Sequence, residues 1–239
     1  MQDSITEVVV GLQMNNHKNV LKLLGCCLET PAPTLVFKFA ENGCLSDHIY
    51  EKEEELSWKS RLRIAIEVAD AISYLHTGTS RPIIHRNIKP SNIFLDKHFG
   101  AKLTEFGYSV SIPPGETYVE TLALGTLGYL DPVYLETSKC TVKSDVFSFA
   151  LVLFEILDHS DDDDDDYTYG AAGIWRYFTV QILKEGNDYE QKMACAELAR
   201  RCMARNPEER PTMVEVAYEL RRIQKGITKL FPTPLTFDY

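Results

Sequence analysis

One segment past the middle of the chain constrains the fold more than any other. Between Lys143 and Leu157 the side chains are apolar on nearly every face of a helix. A helix that is apolar all round must be surrounded by other protein, so the pattern predicts a buried axis. The run is shorter than the roughly 20 residues that cross a membrane. With 239 residues and 44% hydrophobic side chains, the chain can supply the surrounding core in one large domain or two small lobes.

Hydrophobic periodicity predicts the elements around this helix. An amphipathic helix is predicted at residues 3–15, followed by two antiparallel strands at 20–29 and 34–40. A long helix is predicted to begin after Ser57, its N-cap, and to end at Gly78. The remaining predictions are short strands at 93–96 and 101–104, a long irregular stretch at 108–141, and a last helix that begins at the capping box of Thr212 and Glu215.

The charge and the cysteines of the chain exclude several classes of partner and cofactor. Acidic side chains number 35 and basic ones 25, a net charge of −10 that repels nucleic acid. The run Asp161 to Asp166 lacks the spaced ligands of a calcium loop and is predicted to be a solvated insertion. Six cysteines without C-x-x-C spacing predict reduced, mostly buried thiols rather than a zinc site or a disulfide framework.

Several motifs occur in a fixed order along the chain. Residues 84–92 (IHRNIKPSN) resemble the kinase catalytic loop H-R-D-L-K-P-x-N, and residues 103–107 (LTEFG) follow where D-F-G belongs. The segments GTLGYLDP, SDVFSF and NPEERPT then match the end of the activation segment, the start of helix F and the run before the last helix. The chain therefore resembles protein kinases, and NVLKLLGCCL at residues 19–28 resembles the plant receptor-like and receptor-like cytoplasmic kinases in particular.

This resemblance implies an α+β protein kinase-like fold with a truncated N-terminal lobe. Residues 1–41 would be the remnant of that lobe, made of helix C and two strands. Residues 42–225 would form a nearly complete helical C-terminal lobe, and 226–239 a tail. The family's first three strands, its glycine-rich loop and its anchoring lysine are expected to be missing. The strand at 34–40 would then have a free edge that recruits a partner strand.

The resemblance also assigns roles to residues of the catalytic loop. His85 would pack the loop, and Arg86 would bind a phosphate on the activation segment. Lys89 would contact the phosphates of ATP, while Asn92 and Glu105 would hold magnesium. Three hydroxyls of the activation segment are the candidate phosphate acceptors near Arg86: Thr117, Thr121 and Thr126.

Two replacements in these motifs predict weak catalysis. Asn87 stands where the proton-accepting aspartate belongs, and a neutral amide takes up no proton, a loss of roughly 10²- to 10⁴-fold. Glu105 keeps the charge of the D-F-G aspartate but is one methylene longer, which displaces a carboxylate meant for magnesium. We therefore predict that the chain is not an enzyme but a pseudokinase with no intact catalytic residue, and that ATP and magnesium bind weakly or not at all.

Three further positions concern the scaffold. Glu7 occupies the helix C glutamate position and is expected to lack its lysine partner. Asp145 would tie helix F to the catalytic-loop backbone. Arg210 would need a new acceptor, because Val133 stands where the family has the glutamate of A-P-E, and the activation segment would be looser.

The predicted function is that of an adaptor, scaffold or decoy. The chain resembles small plant pseudokinases that couple receptor-like cytoplasmic kinases to nucleotide-binding leucine-rich-repeat immune receptors, so those proteins are the expected partners. No nucleic acid and no transmembrane segment are expected, and the location would be cytoplasmic, reaching the plasma membrane through partners. Two alternatives stay open: a weak ATP-binding serine/threonine kinase or nucleotide sensor that uses Lys89, Asn92 and Glu105, and a degenerate fragment without a role.

Overall fold

The computed structural model describes residues 2–27, 29–30, 33–50, 56–157 and 188–228. The acidic run at 161–166 lies outside them, as does nearly all of the predicted tail. The helices are α1 (Gln2–Met14), α2 (Leu45–Tyr50), α3 (Trp58–Thr77), α4 (Pro132–Thr137), α5 (Val142–Leu157), α6 (Tyr189–Cys202) and α7 (Met213–Gln224). The strands are β1 (Leu23–Cys27), β2 (Thr34–Phe37), β3 (Ile83–Ile84), β4 (Ile93–Leu95), β5 (Ala101–Leu103), β6 (Val110–Ser111), β7 (Val119–Glu120) and β8 (Lys139–Cys140).

Helix α5 is the buried axis that its sequence predicts. Val146, Val152 and Phe154, which point to different sides of this helix, are each at most 2% exposed. Helices α3 and α6 pack against α5, and α7 packs against both of them. Each large apolar side chain buried in this way contributes about 1.5–3 kcal/mol relative to an exposed one. The lower part of the molecule is therefore held together around α5.

The predicted ends of the long helices are confirmed. Ser57 caps α3, since its hydroxyl accepts a hydrogen bond from Ser60 N at 3.3 Å, and Gly78 follows as the C-cap. Thr212 and Glu215 form the capping box of α7. The side chains of Ser57, Thr212 and Glu215 occupy backbone groups that the start of a helix leaves unpaired, which fixes the first turn of each helix.

The two predicted strand pairs are also confirmed. Strands β1 and β2 pair antiparallel, with Leu23 opposite Phe37, and β4 pairs antiparallel with β5. The chain before β1 joins the upper sheet to the lower part, because Leu21 N donates to Leu103 O and Leu103 N donates to Asn19 O, both at 2.9 Å. Among the described residues β1 is the one strand that pairs with β2; recruitment of a partner strand by β2 stays a prediction.

Two expectations about local structure are wrong. The stretch at 108–141 is not irregular throughout, since it contains β6, β7, α4 and β8. The cysteines are not mostly buried: Cys26 and Cys27 are exposed in β1, and Cys44 is partly exposed. Four of the five residues of β1 are exposed, so the two cysteines of this strand face solvent. No helix among the described residues is long and apolar enough to cross a membrane.

Candidate functional site

Asp145, in the first turn of α5, holds the backbone of the loop at 84–92. Its carboxylate accepts hydrogen bonds from His85 N at 2.8 Å and Arg86 N at 2.9 Å. The Nε2 atom of His76 in α3 lies 2.8 Å from the same carboxylate. Asp145 is 1% exposed, and a buried carboxylate requires several donors. The motif comparison assigns no role to His76, which is the third of these donors.

His85 has a packing role. Its Nδ1 accepts from Asn87 N at 3.2 Å, so the proton lies on Nε2, which donates to Thr104 O at 2.9 Å. The ring meets Phe106 edge to face, with 5.2 Å between centroids. Burial lowers the pKa of His85, which keeps the ring neutral. Because both ring nitrogens are occupied within the fold, His85 has no free lone pair to serve as a base.

Asn87 faces the end of the activation segment. Its side-chain oxygen accepts a hydrogen bond from Thr126 Oγ1 at 2.8 Å, and its backbone oxygen accepts from Asn92 Nδ2 at 2.8 Å. Gly125 allows this approach, since a Cβ at that position would lie 2.5 Å from Arg86 O. The loop and the segment are therefore packed so that a hydroxyl group reaches residue 87.

Asn92 and Glu105 supply oxygen ligands of the kind that magnesium prefers. The amide nitrogen of Asn92 is used by Asn87, which leaves its side-chain oxygen as a ligand. Glu105 is exposed and adopts a left-handed backbone, with φ of 64°. No group of three or more His, Cys, Asp or Glu that suits a metal occurs in the described part of the chain. Asn92 and Glu105 would suit a magnesium ion whose other ligands come from water and phosphate, and such an ion would neutralise phosphate charge. Lys89, half-buried, belongs to the same loop.

Glu7 of α1 reaches the backbone at 105–107. The residue is 6% exposed, and its Oε1 atom has no hydrogen-bond partner among the described residues. Burial, and then the charge of Glu105, raise the pKa of Glu7 to about 7. A carboxyl group held in this way is partly protonated at neutral pH.

The stability of the chain should fall as the pH rises because of Glu7. Its pKa rises from 4.5 to about 7 on folding, so between these values the folded state binds more protons than the unfolded state. Full ionisation above that window costs about 3 kcal/mol. Urea unfolding near pH 5 and pH 8 should show this loss in the wild type and not in Glu7→Gln. The exposed Glu120→Gln is the control, and an equal loss in Glu7→Gln would contradict the assignment.

Arg86 and the three threonines of the activation segment differ in how accessible they are for phosphorylation and phosphate binding. The Nε atom of Arg86 donates to Tyr108 O, whereas its buried Nη1 has no hydrogen-bond partner in the described ranges. Thr126 is engaged by the catalytic loop, Thr121 is half-buried and Thr117 is exposed. Phosphate binding by Arg86 stays a prediction, and Thr117 is the most accessible of the three acceptors.

Asp131 is the acceptor of Arg210, whose partner the sequence did not identify. Arg210 pairs with Asp131 through two contacts, Nη1 to Oδ2 at 2.7 Å and Nη2 to Oδ1 at 2.9 Å. Both side chains are buried, at 0% and 2% exposure. The guanidinium carbon also lies 5.2 Å from the centroid of the Phe147 ring. Asp131 therefore anchors the end of the activation segment two residues before Val133.

The fold and this loop define the class of protein. The family model described as protein tyrosine and serine/threonine kinase matches residues 1–220. The chain belongs to this family, and the predicted kinase-like fold is confirmed.

The relatives narrow the class to plant receptor-like kinases. Wall-associated receptor kinase-like 3 of Arabidopsis thaliana is 40% identical over 95% of this chain and 32% of its own length. Wall-associated receptor kinase 5 of the same plant is 42% identical over 96% of this chain and 33% of its own length. The chain thus spans about a third of the length of the curated relatives that it matches. It is a serine/threonine kinase-like domain of the plant receptor-like group.

The comparison with known kinases shows that the prediction of a non-enzyme is wrong. The relatives are named as receptor kinases, and the matching family is one of kinases. The prediction gave decisive weight to Asn87 and Glu105. It gave too little weight to Asp145, His85 and Asn92, which assemble the catalytic loop in the structure.

Proposed function

We propose that the chain is a serine/threonine kinase domain of the plant receptor-like kind in which phosphoryl transfer is slow. The observation that carries the proposal is the placement of Asn87, whose side-chain oxygen accepts a hydrogen bond from Thr126 at 2.8 Å. An amide oxygen positions a hydroxyl group but takes up no proton, so the rate falls while the geometry is kept. Lys89 supports the serine/threonine class, because its position matches the phosphate-contacting lysine of such kinases.

The relatives suggest where such a domain acts. They are named as wall-associated receptor kinases, so we propose that this domain signals on the cytoplasmic side of the plasma membrane, in plant defence. Receptor-like cytoplasmic kinases and nucleotide-binding leucine-rich-repeat receptors are the proposed protein partners. Slow transfer suits a domain whose contacts with other kinases carry part of the signal.

Binding of ATP with magnesium is the direct test of the site. A ligand at 100 times its Kd stabilises the folded state by about 2.7 kcal/mol, so the thermal midpoint should rise with ATP concentration and only when magnesium is present. Asn92→Ala should abolish the rise, because it removes a magnesium ligand, whereas the exposed Glu120→Gln should retain it. A cooperative transition that ATP leaves unmoved at every magnesium concentration would contradict the proposal.

A second candidate is an adaptor that works through the activation segment. Leu122 and Leu127 are 81% and 82% exposed, and apolar side chains presented in this way are suited to contact with another protein. Co-purification of a partner kinase by a chain that shows no response to ATP would favour this function over the first.

A further inference from the structure

A cleft that shares no lining residue with the loop at 84–92 gathers positive charge. It lies between the turn that ends α1, the entry to β1, the exit from β2 and strand β5, and its volume is about 210 Å³. Four lysines line it: Lys18, Lys22, Lys38 and Lys102. The net charge of the whole chain is −10, so a lysine cluster is not a product of composition.

Two of these lysines, both exposed, lie opposite each other at the adjoining ends of β1 and β2. Lys38 N donates to Lys22 O at 2.8 Å, which places the two residues opposite each other next to the pair of Leu23 and Phe37. Like charges directly opposite on antiparallel strands are destabilising. No ion pair of either side chain occurs among the described residues. The fold therefore carries a repulsion that an anion would relieve.

The one carboxylate that lines the cleft is already used. Asp96 accepts hydrogen bonds from the backbone of His98 and Gly100, each at 2.9 Å. It also pairs with Lys102 at 3.2 Å. The Nζ atom of Lys102 also donates to Lys18 O at 2.6 Å. This bond holds the Lys102 side chain against the turn that follows α1. The charges of the three other lysines are left without a carboxylate in the cleft.

The shape of the cleft favours a side chain over a flat surface. A planar membrane cannot enter a concave space of this size, whereas a phosphate monoester on a side chain fits it. Phe39, next to Lys38, also lines the cleft and is 78% exposed. An exposed aromatic ring beside a basic site offers contact to an apolar residue that flanks the phosphate.

We propose that this cleft binds a phosphorylated serine or threonine in an extended segment of a partner protein. Lys18, Lys22 and Lys38 hold the phosphate, and Phe39 contacts an apolar neighbour of the phosphorylated residue. The cleft shares no residue with the loop at 84–92, so this docking function is independent of phosphoryl transfer.

The test measures peptide binding by the whole chain. A fluorescein-labelled peptide with phosphoserine between two leucines is titrated by anisotropy, beside its unphosphorylated form. The phosphorylated form should bind at least tenfold more tightly, and this preference should fall as salt rises. The double variant Lys22→Gln, Lys38→Gln should bind at least tenfold more weakly, with an unchanged or higher thermal midpoint because the repulsion is removed. Lys59→Gln, an exposed lysine on α3, should bind as the wild type does.

Three results would overturn the proposal. The first is equal binding of the two peptides, or of the double variant and the wild type. The second is loss of binding in Arg86→Gln with full binding in the double variant, which would assign the phosphate to the catalytic loop. The third is tighter binding to vesicles that contain phosphatidylinositol phosphate than to the peptide at matched phosphate concentration, which would assign the cleft to a lipid headgroup.

Discussion

Replacing Asn87 by aspartate is expected to raise the rate of phosphoryl transfer by roughly 10²- to 10⁴-fold, the usual contribution of a general base. The contact with Thr126 Oγ1 at 2.8 Å needs only an acceptor oxygen at residue 87, and a carboxylate supplies one. The backbone bonds from residue 87 to His85 and Asn92 do not involve the substituted atoms. The substitution therefore adds a proton acceptor and leaves the geometry of the loop intact.

The measurement is transfer of labelled phosphate from ATP to a generic protein substrate, with the thermal midpoint of each variant as a folding check. Asn87→Ala is the matched control, since it removes the contact with Thr126 and adds no base, and it should be no faster than the wild type. Asn92→Ala in the Asn87→Asp background should lose the gain, because magnesium then lacks a ligand. A folded Asn87→Asp variant that binds ATP and remains as slow as the wild type would show that the missing base does not limit the rate.

Much of the fold follows from signals that lie close together in the sequence. The all-round apolar run at 143–157 predicts the buried axis, and the capping side chains of Ser57 and Thr212 predict where helices begin. These features depend on residues within one or two helical turns of each other, so they can be recognised from a short stretch of sequence. The short helix α2 was missed because six residues, Leu45 to Tyr50, give too little periodicity to recognise.

The contacts that hold the site together were harder to predict. His76 reaches Asp145 across 69 residues of sequence, and its position on the buried side of α3 indicates only that it is in the core. Arg210 reaches Asp131 across 79 residues. The motif comparison showed that its usual acceptor is replaced at Val133, but motif spacing alone does not identify the substitute, because that depends on how α4 approaches α7.

Replacing Asp131 by asparagine is expected to destabilise the chain by about 3–5 kcal/mol, the cost of leaving one partner of a buried ion pair unpaired. Arg210 is 1% exposed, so its charge cannot be hydrated when the carboxylate is lost. Asparagine keeps one side-chain oxygen to accept from Val133 N at 3.1 Å, so the N-cap of α4 is preserved. It loses the negative charge and the second oxygen, which accepts from Arg210 Nη1. Urea unfolding gives the difference in free energy.

Asp70→Asn is the matched control, because it removes the charge that faces Arg221 in a partly exposed pair, in which the Arg221 side chain is 45% and the Asp70 side chain 16% exposed. Exposed pairs contribute only about 0.2–1 kcal/mol, so this variant should stay close to the wild type. Val133→Glu in the Asp131→Asn background should recover part of the lost stability, since it returns a carboxylate to the position where the kinase family has one. A loss as small for Asp131→Asn as for Asp70→Asn would contradict the view that Asp131 replaces that glutamate as the anchor of the activation segment.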